Sequence, residues 1–316
     1  MMVARSLVLG IAASVLAHHR GWRLRQGIFA TLFAAYLPWL LDGTERRPAG
    51  RPWRALQHSS LWAPLLRFLF GRAELVVETP EKLRACKQGI LAVAPHGVVS
   101  FNHALYMTDV CGFLSQHWPV DRRDLGASAI FMIPVYRDLL LWCGCVDASA
   151  SNARAVLRSG RSIFVYPGGE AEQMRSRRGR YFAHWGSRKG FVKLAVEFGV
   201  PVIPSYAFGE ADMYNTSSIL LGFRMWVCST FKVALPLAFG RWGTPLPRKV
   251  PLVAVVGEPI QVPKVDPLNP NFESAVDKAH AEVLEALVKL FDKHKAKYIK
   301  DGGSEAAFEI TGNKRS

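Results

Sequence analysis

Cysteine is scarce in this 316-residue chain, and its spacing forms no pairs: Cys86, Cys111, Cys143, Cys145 and Cys228, five in all, with no Cys-x-x-Cys among them. An odd, scattered set argues against a disulfide scaffold and suits a reducing, cytosol-facing compartment. Cys143 and Cys145 sit in an apolar run and read as core rather than as metal ligands. Long apolar runs are also missing near the start. Ser6–Ala17 (SLVLGIAASVLA) and Gly27–Leu41 (GIFATLFAAYLPWLL) each fall short of the about 20 residues of a spanning helix. Acidic residues are in deficit, 25 against 40 Lys and Arg, a formal net charge of +15. No zinc-finger spacing, RNP-like motif or basic coiled-coil helix accompanies that charge, which argues against nucleic acid. An anionic membrane surface or an anionic substrate is the remaining reading. Hydrophobic residues, by contrast, are plentiful at 50%.

Between the two apolar runs lies HHRGWRLRQ, with Arg20, Arg23 and Arg25. Arg5, a short apolar stretch and SVLA fit a secretory signal peptide. The second run and the reduced cysteines fit a membrane hairpin or a pair of interfacial segments, with Trp22, Tyr36 and Trp39 at headgroup level. Length does not separate these readings. A hairpin with both ends cytosolic would put three arginines on the far side, against the positive-inside tendency. The polar, Pro/Gly-rich segment Asp42–Arg54 marks a boundary. It divides a membrane-embedded hairpin or interfacial anchor (1–50) from one large domain (51–316).

From about residue 60 strands and helices alternate, which predicts an α/β fold with a mostly parallel sheet flanked by helices, preceded by the N-terminal hydrophobic membrane segment. Expected strands are Gly89–Ala94, Ser162–Tyr166, the segment VPVIPSYAF and Leu252–Gly257. Arg188–Phe198 has helical periodicity stopped by Gly199, and Glu273–Tyr298 reads as a long amphipathic helix. The tail beyond Gly303 looks loosely ordered.

In such folds ligands meet the carboxyl ends of strands. Two features fall there: Pro95-His96-Gly97 and Pro167-Gly168-Gly169-Glu170-Ala171-Glu172. Glycine lets backbone N–H groups approach a ligand, and a histidine with a nearby carboxylate can act as a base and its orienter. A lone turn histidine is more often structural, and a Gly-Gly pair is more often only a turn.

The ordered matches along the chain go further. RKGFVKLAVEFGVPVIPSYAFGE (Arg188–Glu210) resembles the long signature of the type-2 diacylglycerol acyltransferase family, which includes monoacylglycerol and wax-alcohol acyltransferases. FMIPVYRDLLLWCGCVDAS resembles its Pro-x-x-Arg-(Asp/Glu) region, VYPGGEAEQM its Gly-Gly-x-x-Glu block, and VVGEPIQVPK with EALVKLFDKHKAKY its last strand and helix. The resemblance covers roughly residues 60–300. It departs at one place. The family's first motif is usually His-Pro-His-Gly, and here it is Ala94-Pro95-His96-Gly97.

The resemblance implies transfer of a fatty acyl group from acyl-CoA to a lipid hydroxyl, with diacylglycerol giving triacylglycerol as the leading reaction. Monoacylglycerol and long-chain alcohols are alternative acceptors. It implies His96 as general base and Glu172 as its orienter, with Gly97, Gly168 and Gly169 at the oxyanion. Arg137, Arg188 and Lys189 are then candidates for the CoA phosphates, with Glu210 and His103 as supporting residues. No metal or bound cofactor is implied. The expected setting is the endoplasmic reticulum membrane, with the catalytic domain facing the cytosol and lipid droplets as a second address; a homo-oligomer stays open. A lysophospholipid or glycerol-phosphate acyltransferase would carry an Asp five residues after His96, where Phe101 stands. Ala94 leaves open a non-catalytic lipid-binding protein with a decayed site.

Overall fold

Apolar segments set the centre of the sheet. Ile90–Ala94 and Leu252–Val256 are buried at all five positions, and Val202–Phe208 at all seven. Strands without a polar face need cover on both sides. The computed structural model describes residues 24–231, 234–299 and 302–312. Its strands are β1 (Ala73–Val77), β2 (Ile90–Ala94), β3 (Arg122–Gly126), β4 (Cys145–Asp147), β5 (Ser162–Val165), β6 (Tyr181–Ala183), β7 (Val202–Phe208), β8 (Asn215–Thr216), β9 (Ala238–Phe239), β10 (Leu252–Val256) and β11 (Phe308–Ile310). Seven form one sheet in the order β1-β10-β7-β2-β5-β3-β4. Only β10 against β7 is antiparallel; the other neighbours run parallel. The expected α/β class with a mostly parallel sheet is what the chain adopts.

Alternation within β2 splits the core into two layers. Ile90, Ala92 and Ala94 join one cluster and Leu91 and Val93 the other, as the two-residue period of a strand requires. The helix Phe272–Tyr298 covers the first layer. Its predicted stripe Val276, Ala279, Val283, Leu287, Leu290 and Phe291 is buried, and Phe291 stacks on Phe208 at 5.6 Å. The helix Gly190–Phe198 adds Phe191, Leu194 and Ala195 to that layer and ends at Gly199, whose φ of +67° is the left-handed conformation glycine tolerates best. Among the described residues no cysteine forms a disulfide, and Cys143 and Cys145 are buried as expected.

The tail departs from expectation. Phe308–Ile310 pairs parallel with β6, because Phe308 packs 4.9 Å from Phe291 and 5.4 Å from Tyr206, apolar contacts that a loose tail would forgo. Of the two N-terminal apolar runs, Ser6–Ala17 lies outside the described residues. The second is the helix Leu24–Leu40, which contains Pro38. Among the described residues no helix is long and apolar enough to cross a membrane. The end of this helix is docked: Tyr36 donates to Asp138, the Trp39 indole N–H donates to Asp138 Oδ1 at 2.8 Å, and the Arg51 guanidinium lies 3.8 Å over the Trp39 ring. The segment after it is also packed, with the carbonyl of Ala49 accepting from Arg123 at 2.7 Å.

Candidate active site

Three adjacent parallel strands, β7, β2 and β5, deliver their carboxyl ends to one place. His96 follows β2, Tyr166 and the Gly168-Gly169 turn follow β5, and Glu210 follows β7. The fold thus brings together His96, Gly97, Gly168, Gly169, Glu172 and Glu210.

Glu172 holds main chain. One carboxylate oxygen accepts from the backbone N–H of His96, and Oε2 accepts from the N–H of His184 at 2.8 Å. The expected bond from Glu172 to the His96 ring is therefore corrected: both oxygens face amides. Glu210 does the same for the turn beyond the histidine. Its oxygens accept from the N–H groups of Phe101 (3.2 Å) and Asn102 (2.7 Å) and from the Asn102 side-chain amide (3.1 Å). Asn102 passes the order on. It donates to the carbonyl of Pro95 at 3.1 Å and accepts from the Tyr166 hydroxyl at 2.6 Å. Burial pushes both Glu172 and Glu210 up to about 7, against the pull of those amides.

Two glycines make room for these carboxylates. A Cβ at Gly97 would overlap Glu210, and one at Gly168 would overlap Glu172. Gly97 also has φ +64°. The Gly169 N–H donates to the Tyr166 carbonyl at 3.1 Å, which removes it from the expected oxyanion role.

The His96 ring meets neutral partners. Nδ1 lies 3.1 Å from the Gly97 carbonyl and 3.0 Å from Ser100 Oγ, which is also 3.3 Å from Nε2. A carbonyl only accepts, so the Gly97 contact places the hydrogen on Nδ1 and the lone pair on Nε2. Burial lowers the ring's pKa to about 4, offset in part by the Gly97 carbonyl. The His96 ring is therefore uncharged near pH 7. Ser100 holds a left-handed backbone (φ 61°, ψ 44°), a strained conformation for a residue with a side chain.

His103 lies beside it. Its ring stacks on Phe164 at 4.7 Å and meets Tyr166 edge-on at 6.0 Å, while His96 lies 4.9 Å from the same tyrosine. Nε2 of His103 is 2.7 Å from Asp124 Oδ2, and Arg122 holds Asp124 with bonds of 2.7 and 3.1 Å. Burial would raise Asp124, but Arg122 and His103 outweigh it and bring the carboxyl to about 2. Ser100, Asn102, Asp124 and Tyr166 were not singled out as functional by motif. Arg122-x-Asp124 was the available signal, since residues two apart share a strand face.

The expected CoA-binding cations separate. Arg137 is fully buried and pairs with Asp42 Oδ1 at 2.6 Å and Glu45 Oε2 at 2.7 Å, so its expected contact with a phosphate is corrected: internal carboxylates and the Trp39 carbonyl engage its two Nη groups. Lys189 pairs with Asp277 at 2.6 Å on the long C-terminal helix. Arg188 is exposed, as are Arg177, Arg178 and Arg180 in the loop before β6. Arg175 and Arg188 both press the His184 pKa down after its burial, which puts two guanidiniums near the residue whose amide Glu172 holds.

Residues 28–305 match the family model described as diacylglycerol acyltransferase. The chain belongs to the diacylglycerol acyltransferase family. Among curated proteins it is 34% identical to human "Diacylglycerol O-acyltransferase 2-like protein 6" over 229 residues, 66% of each chain. Mouse "Acyl-CoA wax alcohol acyltransferase 2" is 32% identical over 81% of this chain and 77% of its own. Human "Diacylglycerol O-acyltransferase 2" is 30% identical over 92% and 76%. The family is one of acyltransferases that use acyl-CoA, and the strand-end cluster is where this member's chemistry is sought.

Proposed function

We propose that the chain esterifies diacylglycerol with the acyl group of acyl-CoA, with His96 Nε2 taking the proton of the acceptor hydroxyl. The observation that carries this is the state of His96: a neutral ring at a strand end, with its main chain fixed by Glu172 and the turn behind it by Glu210. A base must be unprotonated at working pH and held in one orientation. Glu172 and Glu210 act through the backbone and are positioning residues. With Gly169 committed to Tyr166, stabilising the oxyanion falls to the amides of Gly97 and Gly168, at about 3 kcal/mol per donor. Exposed Arg188, with Arg175, Arg177 and Arg178, suits the phosphates of CoA. The apolar exposed face of the Leu24–Leu40 helix suits attachment to the endoplasmic reticulum membrane, catalytic domain toward the cytosol, or to a lipid droplet.

The test uses microsomes from cells lacking neutral-lipid synthases, given labelled oleoyl-CoA and, in separate arms, diacylglycerol, monoacylglycerol or a long-chain alcohol. Wild type is expected to form triacylglycerol, and His96→Ala to form none above background. Equal product from the two overturns the base. Alcohol esters without triacylglycerol would move the acceptor to the wax-alcohol class, which the mouse relative's similarity makes the second reading.

A further inference from the structure

Two imidazoles lie against the ring of Tyr166, and their surroundings divide them. Among the described residues the His96 ring has a carbonyl and a hydroxyl as hydrogen-bond partners and no carboxylate. His103 Nε2 faces Asp124 at 2.7 Å. Asp124 is a central residue of β3, in register with Phe164 on β5, the ring on which His103 stacks. Arg122, two residues away on the same strand face, grips that carboxylate and also donates to the Tyr106 carbonyl at 2.9 Å. An ionised carboxylate only accepts, so His103 Nε2 carries a hydrogen. The other nitrogen, Nδ1, has no hydrogen-bond partner among the described residues. The side chain is not sealed: 16% of it is exposed, against 2% for Asp124.

Pairs of titratable groups that their environments push apart mark acid and base in an active site. Burial without a counter-ion favours neutral imidazole, as at His96. His103 differs in geometry: its Nε2 is anchored to a buried carboxylate that Arg122 holds in place, and its Nδ1 is left facing outward from that pair. The division reinforces itself, because charge at His103 further lowers the pKa of His96 after burial.

We infer that His103 is the proton donor to the departing CoA sulfur, so that this chain divides base and acid between His96 and His103. The step rests on the acyl transfer proposed above, and it balances. The acceptor O–H bond breaks toward His96 Nε2 as its oxygen bonds the thioester carbon. The tetrahedral intermediate re-forms its C=O, the C–S bond breaks, and its electron pair goes to sulfur, which takes the proton of His103 Nδ1. Ester and free thiol leave. His96 then gives one proton to water and His103 regains one, so nothing further is consumed. Asp124 and Arg122 are positioning residues for this donor.

A proton donor to a leaving group loses its importance when the leaving group is already acidic. The test compares oleoyl-CoA with the oleoyl thioester of 4-nitrothiophenol, using wild type, His103→Gln, Asp124→Asn and His96→Ala of the full chain. His103→Gln is expected to lose about a hundredfold in rate with oleoyl-CoA, at the low end for general acid catalysis. With the nitrothiophenol thioester the loss should shrink to about threefold. Asp124→Asn keeps an acceptor for Nε2–H but not its charge, and should show the same pattern at about tenfold. The ratio of the two donors within one preparation does not depend on how much enzyme folded. A loss equal for both thioesters, or none, overturns the inference and assigns His103 to structure. His96→Ala should fail with both donors. A fully active His96→Ala would instead sink the proposed base, whatever His103 does.

Discussion

Ala94 is the residue where this chain lacks a side chain usual in its family, and its burial explains what a replacement must do. It is fully buried and stands opposite Tyr206 in the parallel register of β2 and β7. Tyr206 and Trp185 belong to the same core cluster, and among the described residues neither the Tyr206 hydroxyl nor the Trp185 indole N–H has a hydrogen-bond partner. Each such orphan costs about 1–3 kcal/mol. A larger side chain at 94 overpacks the layer at a cost of about 1–3 kcal/mol, but an imidazole also supplies a partner. Ala94→His is therefore expected to unfold less readily than Ala94→Phe by about 1 kcal/mol, or a few degrees in Tm, and to keep activity within about threefold, while Ala94→Phe loses most of it. Thermal unfolding and the triacylglycerol assay on both variants check this. Equal destabilisation would mean that neither orphan reaches the new ring.

Among the elements, the end of the Leu24–Leu40 helix shows what Arg137 is for. Arg137 reaches from the helix Tyr136–Trp142 to Asp42, Glu45 and the Trp39 carbonyl, and so ties the N-terminal segment to the domain. Removing one partner of a buried ion pair leaves uncompensated charge and costs about 3–5 kcal/mol. Arg137→Ala is expected to lose about 3 kcal/mol in stability and to open residues 40–50 to limited proteolysis. An unchanged stability with a raised KM for acyl-CoA would return Arg137 to substrate binding. The same pattern reads as substrate binding in sequence and as structure in space because a sequence motif does not say which carboxylates lie near. Legibility elsewhere followed polarity. Strands β2 and β10 are apolar throughout, β7 is buried throughout with Ser205 its one small polar residue, and the Gly190–Phe198 helix ends at a glycine, so all four were readable. Strand β3 was not: RRDLG carries three charges, and Arg122 and Asp124 are buried only because they neutralise each other. Tail strand β11 is three residues long and depends on aromatic partners in the C-terminal helix and β7. The strand-end position of His96 was legible, but the residues against its ring and the Asp124–His103 pair arise from long-range packing.

At the scale of the whole molecule, an excess of 15 positive charges coexists with large apolar side chains left in the open. Ile28, Phe29 and Leu32 on the Leu24–Leu40 helix, and Ile219, Leu220, Phe223 and Trp226 just before and within the Leu221–Phe231 helix, are each more than half exposed. Exposed apolar groups on this scale mark an interaction surface. The described helix Leu24–Leu40 has 17 residues, about 25 Å at 1.5 Å per residue. Its outward apolar face suits lying along an interface. Burying a Phe or Leu contributes about 1.5–3 kcal/mol, so replacing two with Asp should remove about 4 kcal/mol of attachment, moderated by whatever other segments remain bound. Phe29→Asp with Leu32→Asp is expected to lower co-sedimentation with phosphatidylcholine vesicles at least tenfold. Raising the salt should weaken binding of wild type to phosphatidylserine vesicles, where basic charge contributes, and change the phosphatidylcholine result little. Unchanged sedimentation of the double variant would show that the Leu24–Leu40 helix does not enter the bilayer surface.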